Sequence, residues 1–177
     1  MEFSFHKTIF LLALILVIDG SFFGKPVDAT ALEDVCRKTF DQHFCLTNFG
    51  WKSSTKTAPI PDLANLAIVN VIDNMNMTRL MINFLLYFTT DPQLHNVETE
   101  CQNFYVPALS SMVSSASYNL NHGQYRQLGQ QATQAFNAAD QCQKAYATLF
   151  KMAPFETYIY NLKRLSNILE VIADDFL

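Results

Sequence analysis

The chain has 177 residues, of which 50% are hydrophobic and 16% charged, and its formal net charge is −4. A mildly acidic chain without a basic cluster is not expected to bind nucleic acid or an anionic membrane surface. Its length predicts a single domain behind an export signal.

The N-terminus is predicted to be a cleaved signal peptide. Lys7 precedes an apolar run over residues 9–18, and Asp19-Gly20-Ser21 follows it. The run is shorter than the ~20 apolar residues that span a bilayer, so a signal peptide fits better than an anchor. Several cleavage sites between residues 20 and 29 are compatible with the small side chains there. We assign residues 1–29 to the signal, and we expect a secreted mature form without a membrane segment.

Four cysteines follow this segment, namely Cys36, Cys45, Cys101 and Cys142. An even number behind an export signal predicts two disulfides in an oxidising compartment. Cys101 and Cys142 are placed symmetrically about Asn121-His122-Gly123, so antiparallel helices that turn there would bring them face to face. Of the three possible connectivities, only Cys36 with Cys45 and Cys101 with Cys142 needs no long reach.

The spacing of apolar residues predicts an all-helical fold. Apolar side chains recur at intervals of three and four, and the chain has only five glycines. A helical hairpin is expected over residues 32–51, with a polar linker at 52–57, so that 30–58 form the hairpin and linker and 59–177 the bundle. The inward positions of the four long helices are, in chain order, Ala64, Ile68, Val71, Met75, Ile82 and Leu85; Leu94, Val97, Cys101, Phe104, Ala108 and, more weakly, Ser111, Ser115 and Tyr118; Leu128, Ala132, Ala135, Ala139, Cys142, Tyr146 and Leu149; and Phe155, Tyr158, Leu162, Leu165, Leu169, Ile172 and Phe176.

Short connections between these helices predict an antiparallel up-down-up-down four-helix bundle. The connections are expected at Thr89-Thr90, at Asn121-His122-Gly123 and at residues 152–154. Asp91 and Pro92 supply a cap and a first-turn proline for the second bundle helix, and Pro154 is expected in the first turn of the fourth. Pro107 lies inside the second bundle helix, where it removes a backbone hydrogen bond and predicts a bend near Phe104.

The chain shows no residue pattern for catalysis or for a metal site. It lacks Gly-x-Ser-x-Gly, His-Glu-x-x-His and a phosphate-binding glycine loop. His95 and Glu98 stand three residues apart at a helix start, but one imidazole and one carboxylate are a common accident of sequence. We therefore expect no enzymatic activity, no cofactor and no bound metal.

Asn76-Met77-Thr78 is the only N-glycosylation sequon in the chain. It lies on a polar interruption of the first bundle helix. In an exported chain this position makes Asn76 a candidate glycosylation site.

The second and third bundle helices are predicted to expose amide side chains and few charges. The residues are Gln102, Asn103, Gln124, Gln127, Gln130, Gln131, Gln134, Gln141 and Gln143. A surface of low charge is cheaper to desolvate than a charged one, which suits docking against another protein. An ordinary solvated helix surface is the alternative interpretation.

Short motifs surround the four cysteines. They are Asp34-Val35-Cys36-Arg37-Lys38-Thr39 with Phe44-Cys45-Leu46, Glu100-Cys101-Gln102-Asn103-Phe104-Tyr105 with Ala108, Gly123-Gln124-Tyr125, and the alanine-rich run from Ala132 to Ala139 before Cys142. Together they resemble the plant invertase and pectin methylesterase inhibitor family, from about Leu32 to the C-terminus, as a divergent member.

This resemblance implies a function as well as a fold. It implies a non-catalytic inhibitor, secreted to the apoplast and cell wall, with one disulfide in the hairpin and one in the bundle. Pectin methylesterase is the first candidate target, bound in a one-to-one complex. Acid invertase, and a non-inhibitory extracellular binding module on the same fold, are the alternatives.

The resemblance also implies where a target enzyme would be contacted. The corresponding positions are Asn103, Tyr105, Gln141, Gln143 and Lys144. Pectin methylesterase inhibitors typically carry acidic and threonine side chains next to the cysteines that correspond to Cys101 and Cys142. In this chain, amides and a lysine stand at those positions. The Pro-Lys-Phe tripeptide associated with invertase inhibitors is absent, so neither branch of the family is matched fully.

Overall fold

A computed structural model of the chain describes residues 30–149 and 151–177. Within these ranges there are seven helices and no strand: α1 Ala31–Lys38, α2 Gln42–Phe49, α3 Ser53–Lys56, α4 Ile60–Phe88, α5 Pro92–Asn121, α6 Tyr125–Ala147 and α7 Glu156–Asp175. The all-helical prediction is confirmed. The predicted signal peptide, residues 1–29, lies outside the described residues. In the part of the chain that the structure describes, no helix has the length and apolar content needed to cross a membrane.

Helices α4 to α7 form the predicted antiparallel four-helix bundle. Each helix packs on the next in sequence, and α7 closes the bundle by packing on α4. The fully buried core includes Met75, Met112, Leu128 and Ile159, one residue from each helix. In this arrangement the face between α5 and α6 lies on the opposite side of the bundle from the face between α4 and α7.

The helix ends follow local signals in the sequence. The Asp91 side chain accepts hydrogen bonds from the backbone N–H groups of Gln93 (2.9 Å) and Leu94 (3.4 Å), and Pro92 occupies the first turn. These bonds satisfy donors that the start of a helix leaves free. At the other end of α5, Gly123 has φ of 69° in the turn before α6, a conformation that glycine adopts without steric cost. The predicted cap and turn are therefore confirmed.

Two local predictions were wrong. Pro154 precedes α7: Phe155 is the N-cap, and the Glu156 N–H donates to the Ala153 carbonyl (3.0 Å) in a turn ahead of the helix. Ala153 and Phe155 are buried, so the chain turns around two anchored side chains before the helix begins. The linker predicted over 52–57 also contains one helical turn, Ser53–Lys56.

The inward stripe predicted for α5 fails at two positions, Phe104 in its first half and Tyr118 near its C-terminal end. Phe104 is only partly buried and Tyr118 is exposed, whereas Tyr105 and Asn119 are buried. The predicted stripe repeats every seven residues, and a straight α-helix drifts by ~20° per heptad against such a repeat. Over a helix of 30 residues the drift moves the core-facing position forward by about one residue.

The N-terminal hairpin formed by α1 and α2 docks on the C-terminal half of α7. Cys36 and Cys45 are joined in a disulfide with a Cα–Cα distance of 5.4 Å. The Phe40 N–H donates to the Asn167 side chain (3.0 Å). The hairpin predicted from the sequence is confirmed, and its disulfide closes it internally without reaching the bundle.

Candidate protein-binding groove

The second disulfide ties together α5 and α6, the two helices that carry all five predicted contact residues. Cys101 of α5 and Cys142 of α6 are bonded with a Cα–Cα distance of 4.7 Å, and both are fully buried. Asn103 follows the first of these cysteines by two residues, and Gln141 directly precedes the second. The predicted pairing is confirmed, and it sets Asn103 and Gln141 on adjoining helices at the same level of the bundle.

A surface groove of about 420 Å³ runs between α5 and α6 at this level. It is lined by Asn103, Phe104, Pro107, Ala108, Gln134, Asn137, Ala138 and Gln141. Ala108 and Ala138 are buried beneath it, and the four amide residues are exposed along it. None of these lining residues carries a charge. We call this set the amide groove.

Pro107 changes the hydrogen-bonding capacity of the amide groove. A proline has no backbone N–H, so the Asn103 carbonyl loses the donor that an α-helix normally provides four residues later. Helix α5 nevertheless runs through this position from Pro92 to Asn121. Each neighbouring amide side chain presents both a donor and an acceptor. The groove thus offers paired donors and acceptors without any charge to desolvate.

Tyr105 does not belong to this surface, and its prediction as a contact residue is wrong. Its side chain is fully buried, beside Thr78 of α4. Burial raises the pKa of the Tyr105 hydroxyl, and the Thr78 hydroxyl opposes this only in part. Because residues advance by about 100° along a helix, Tyr105 points to the core when Asn103 points to solvent.

Gln143 and Lys144 are held on the α7 side of α6, away from the amide groove. The Gln143 side chain donates to a Glu156 carboxylate oxygen (2.7 Å) and accepts from Lys163 Nζ (3.3 Å). Lys144 and Lys163 each lie 2.7 Å from a carboxylate oxygen of Asp140. The hydrogen bonds from Lys144 and then Lys163 lower the pKa of Asp140. The Lys144 side chain is 75% exposed, so its ammonium group is free to contact a partner that covers α6 beside the amide groove.

Gln131 was predicted among the exposed amides, and the structure contradicts this. Its side chain is buried between α5 and α6. It accepts a hydrogen bond from Asn119 (2.9 Å) and donates to the Ser111 carbonyl (2.8 Å) and the Ser115 hydroxyl (2.7 Å). Its polar atoms already have partners within the protein, so Gln131 positions the two helices that form the groove.

Six lining residues were not among the predicted contact residues, although Gln134 was among the amides predicted to be exposed: Phe104, Pro107, Ala108, Gln134, Asn137 and Ala138. A signal for Asn137 was present, because Gln134, Asn137 and Gln141 are spaced three and four apart and must share one face of a helix. Phe104 was assigned to the core stripe. Pro107 was considered only for its effect on the helix.

The structure also bears on the weak metal candidate at the start of α5. His95 is exposed, whereas Glu98 is fully buried and accepts a hydrogen bond from the Thr89 hydroxyl (3.0 Å). The two side chains therefore lie in different environments. Over residues 30–149 and 151–177, no three His, Cys, Asp or Glu side chains are grouped so as to hold a metal ion.

The sequence matches no protein-family model and no curated protein. Several solved structures share its fold, and two of them are pectin methylesterase inhibitors. A mutant form of a pectin methylesterase inhibitor from Arabidopsis is 20% identical, with a TM-score of 0.73 over 82% of this chain and 97% of that chain. A pectin methylesterase inhibitor from Arabidopsis thaliana is 19% identical, with a TM-score of 0.63 over 82% of this chain and 95% of that chain. The protein thus has the fold of pectin methylesterase inhibitors.

Proposed function

We propose that this protein is a secreted, non-catalytic inhibitor of a cell-wall carbohydrate-acting enzyme, with pectin methylesterase as the first candidate target. The observation that carries the proposal is the likeness in fold to pectin methylesterase inhibitors over nearly their whole length. Two disulfides and no free cysteine among the described residues suit an oxidising compartment such as the apoplast. Inhibition then requires only binding, in a one-to-one complex.

The amide groove is the surface with which the inhibitor would contact its target. Its walls are fixed by the Cys101–Cys142 disulfide, so little conformational entropy is lost when a partner binds. Asn103 and Gln141 would exchange hydrogen bonds with polar groups of the enzyme, and the Asn103 carbonyl would accept one more. Covering the substrate cleft in this way would stop catalysis without any chemistry by the inhibitor.

Because the lining of the groove is uncharged, the protein has two alternative functions besides inhibition of pectin methylesterase. A pectin methylesterase surface that presents basic groups to acidic inhibitor side chains would find amides here, and each unpaired buried group costs about 1–3 kcal/mol. Acid invertase is therefore the second candidate. A non-inhibitory extracellular binding module is the third, because a neutral polar groove can also serve recognition alone.

The proposal is tested by titrating the protein, produced from the full-length chain in a secretory host, against several pectin methylesterases and acid invertases. Methanol release from pectin and glucose release from sucrose are the two readouts. We expect stoichiometric loss of pectin methylesterase activity at nanomolar to micromolar inhibitor, and no effect of the same protein after its disulfides have been reduced and alkylated. Loss of invertase activity alone would move the target to the second candidate. If neither enzyme loses activity, the proposed inhibition is rejected and the non-inhibitory binding module is favoured.

Charged substitutions in the groove test the contact surface. Gln141→Lys introduces a charge on the lining, whereas Gln127→Lys introduces the same charge on an exposed position of the same helix outside it. We expect the first to weaken inhibition at least about tenfold, or 1.4 kcal/mol, and the second to leave it unchanged. Lys144→Glu, at the edge of the face, is expected to change the affinity or its salt dependence. Equal behaviour of all three variants and the wild type would exclude this face.

A further inference from the structure

A second groove lies between the C-terminal end of α2, the middle of α4 and α7. Its volume is about 380 Å³. Its polar and aromatic lining residues are Asn48, Trp51, Asn70, Asp73, Asn74 and Tyr158. Met77 and Leu165 supply the apolar part of the lining. We call this set the Trp51 groove. It shares no residue with the amide groove, so the two surfaces are separate.

Trp51 is the only tryptophan of the chain, and it is 72% exposed. The backbone on both sides of it is held in place, because Phe49 is fully buried and the Thr55 hydroxyl donates to the Lys52 carbonyl (2.7 Å). Lys52 Nζ lies 4.5 Å from the centre of the indole ring. An anchored indole that remains in solvent offers a large apolar surface to a ligand at little cost in conformational entropy.

The α4 side of the groove presents polar side chains on one face of the helix. Asp73 and Asn74 follow Asn70 by three and four residues. Among the described residues, Asn74 Oδ1 is buried and has no hydrogen-bond partner. A buried acceptor without a partner is destabilising. The terminal torsion of an asparagine side chain is broad, so Asn74 can turn its amide toward a donor that enters the groove.

The lining residues indicate the chemistry of a ligand. Each asparagine amide offers donors and an acceptor, whereas an ionised carboxylate such as that of Asp73 only accepts. A sugar ring matches both, because its hydroxyls donate and accept. Its C–H groups carry a slight positive charge, which the negative face of an aromatic ring attracts. A purely apolar ligand would instead leave the polar groups of the groove buried without partners.

Charged ligands fit the groove less well. None of the described residues that line it is a Lys, Arg or His, so an anion would meet the Asp73 carboxylate without a compensating cation. A metal ion needs several coordinating side chains, and Asp73 is the one carboxylate among these lining residues. A neutral ligand rich in hydroxyl groups remains.

We propose that the Trp51 groove binds a neutral saccharide. Trp51 and Tyr158 contact the apolar face of a sugar ring, and the polar side chains of α4 exchange hydrogen bonds with its hydroxyls. The site does not depend on the proposed inhibition, because it lies outside the amide groove. The saccharide can come from two sources: a free oligosaccharide, or the glycan expected on Asn76, which is two residues from Asn74 on the same helix.

The fluorescence of Trp51 reports on this groove directly, because the chain has no other tryptophan. The full-length chain, secreted from a eukaryotic host, is titrated with cellohexaose, xylohexaose and mannohexaose as neutral probes and with hexagalacturonate as an anionic probe. We expect at least one neutral probe to shift the emission to shorter wavelength, with a dissociation constant below about 1 mM, because the sugar removes water from the ring. Hexagalacturonate should leave the emission unchanged, since its carboxylates would meet Asp73.

Endoglycosidase treatment distinguishes the two sources of the saccharide. If the Asn76 glycan occupies the groove, its removal shifts the Trp51 emission to longer wavelength and allows the neutral probes to bind. If the groove is open, the treatment leaves the emission unchanged, and the probes bind both before and after it. Either result supports the proposal.

Substitutions locate the binding site. In calorimetry of the treated protein, Trp51→Ala should weaken binding of the neutral probe at least about tenfold, and circular dichroism should show that the variant is folded. Asn70→Ala keeps the fluorophore and should reduce the emission shift at a given probe concentration. Tyr87→Ala is the matched control, because it removes an 82% exposed aromatic residue of α4 outside the groove. It should leave the affinity unchanged.

Three results would overturn the proposal. In the first, neither the neutral probes nor glycan removal changes the Trp51 emission. In the second, Trp51→Ala binds the neutral probe as tightly as the wild type, so that the ligand lies elsewhere. In the third, hexagalacturonate binds more tightly than every neutral probe, so that the groove does not select neutral sugars.

Discussion

Cys101 of α5 and Cys142 of α6 are joined in a fully buried disulfide that holds their Cα atoms 4.7 Å apart. The bond closes a loop of 41 residues that contains the turn between these helices. The Cys36–Cys45 bond, by contrast, closes a loop of only nine residues within the hairpin. The two disulfides should therefore make different contributions to stability.

Replacing both Cys101 and Cys142 by alanine is expected to lower the free energy of unfolding by about 4 kcal/mol, against about 3 kcal/mol for Cys36 and Cys45. The difference follows from the larger loop that the first bond closes in the unfolded chain. Urea denaturation of the two double variants and the wild type measures both values. A larger loss for the hairpin pair would show that loop closure does not set the order.

Gln131 is expected to stabilise the packing of α5 on α6. In Gln131→Leu the Asn119 amide loses its acceptor in a buried site, which should cost about 1–3 kcal/mol. Gln130→Leu is the matched control, because Gln130 is exposed on the same helix and its replacement should change stability by less than about 0.5 kcal/mol. Thermal and urea unfolding compare the variants. Equal effects would mean that the buried hydrogen bonds contribute no net stability.

The ion pairs of Asp140 should make stability depend on pH in the acid range. Lys144 and Lys163 lower the pKa of Asp140 below its ordinary value of 3.8, so the folded state binds this proton less tightly than the unfolded state. The stabilisation is therefore complete above the ordinary pKa and is lost as pH falls through the lowered one. Asp140→Asn should lose up to about 1 kcal/mol at pH 6.

The measurement is the melting temperature of the wild type and Asp140→Asn from pH 6 down to pH 2. The gap between the two proteins should narrow at the acid end. Asp73→Asn, at an exposed acid on α4, serves as the control and should follow the wild type. A gap of constant size would contradict the assignment of the ion pairs.

Asn76 is expected to carry an N-linked glycan. It is partly buried near the middle of α4, and the Thr78 hydroxyl of the sequon is buried, donating to the Asn74 carbonyl (2.8 Å). Glycan transfer must therefore precede the packing of α4. Endoglycosidase treatment of secreted protein should reduce its mass, and Asn76→Gln should show the reduced mass without treatment. An unchanged mass after treatment would exclude the modification.

The helices, the Asp91 cap and the Gly123 turn were predictable because their causes are local. A cap needs one side chain next to free N–H groups, and an amphipathic helix needs only apolar residues at the right spacing. The Cys101–Cys142 pair was predictable for a related reason: a short turn between two helices sets which residues lie opposite. The amide groove was predicted only in part, because Asn103 and Gln141 line it while Tyr105 and Gln143 do not.

The sequence by itself determined the helical fold and the low charge of α5 and α6. It also determined the two disulfides, which suit an exported protein. Only the tertiary structure decided which polar side chains are exposed. Gln131 and Gln143 have the same chemistry as Gln141, but hydrogen bonds to neighbouring helices hold them away from the groove. The orientation of a side chain depends on the rotation of its helix within the bundle. Tyr105, a contact position implied by the family resemblance, follows the buried Cys101 by four residues, so it lies on the same face of α5 and belongs to the core.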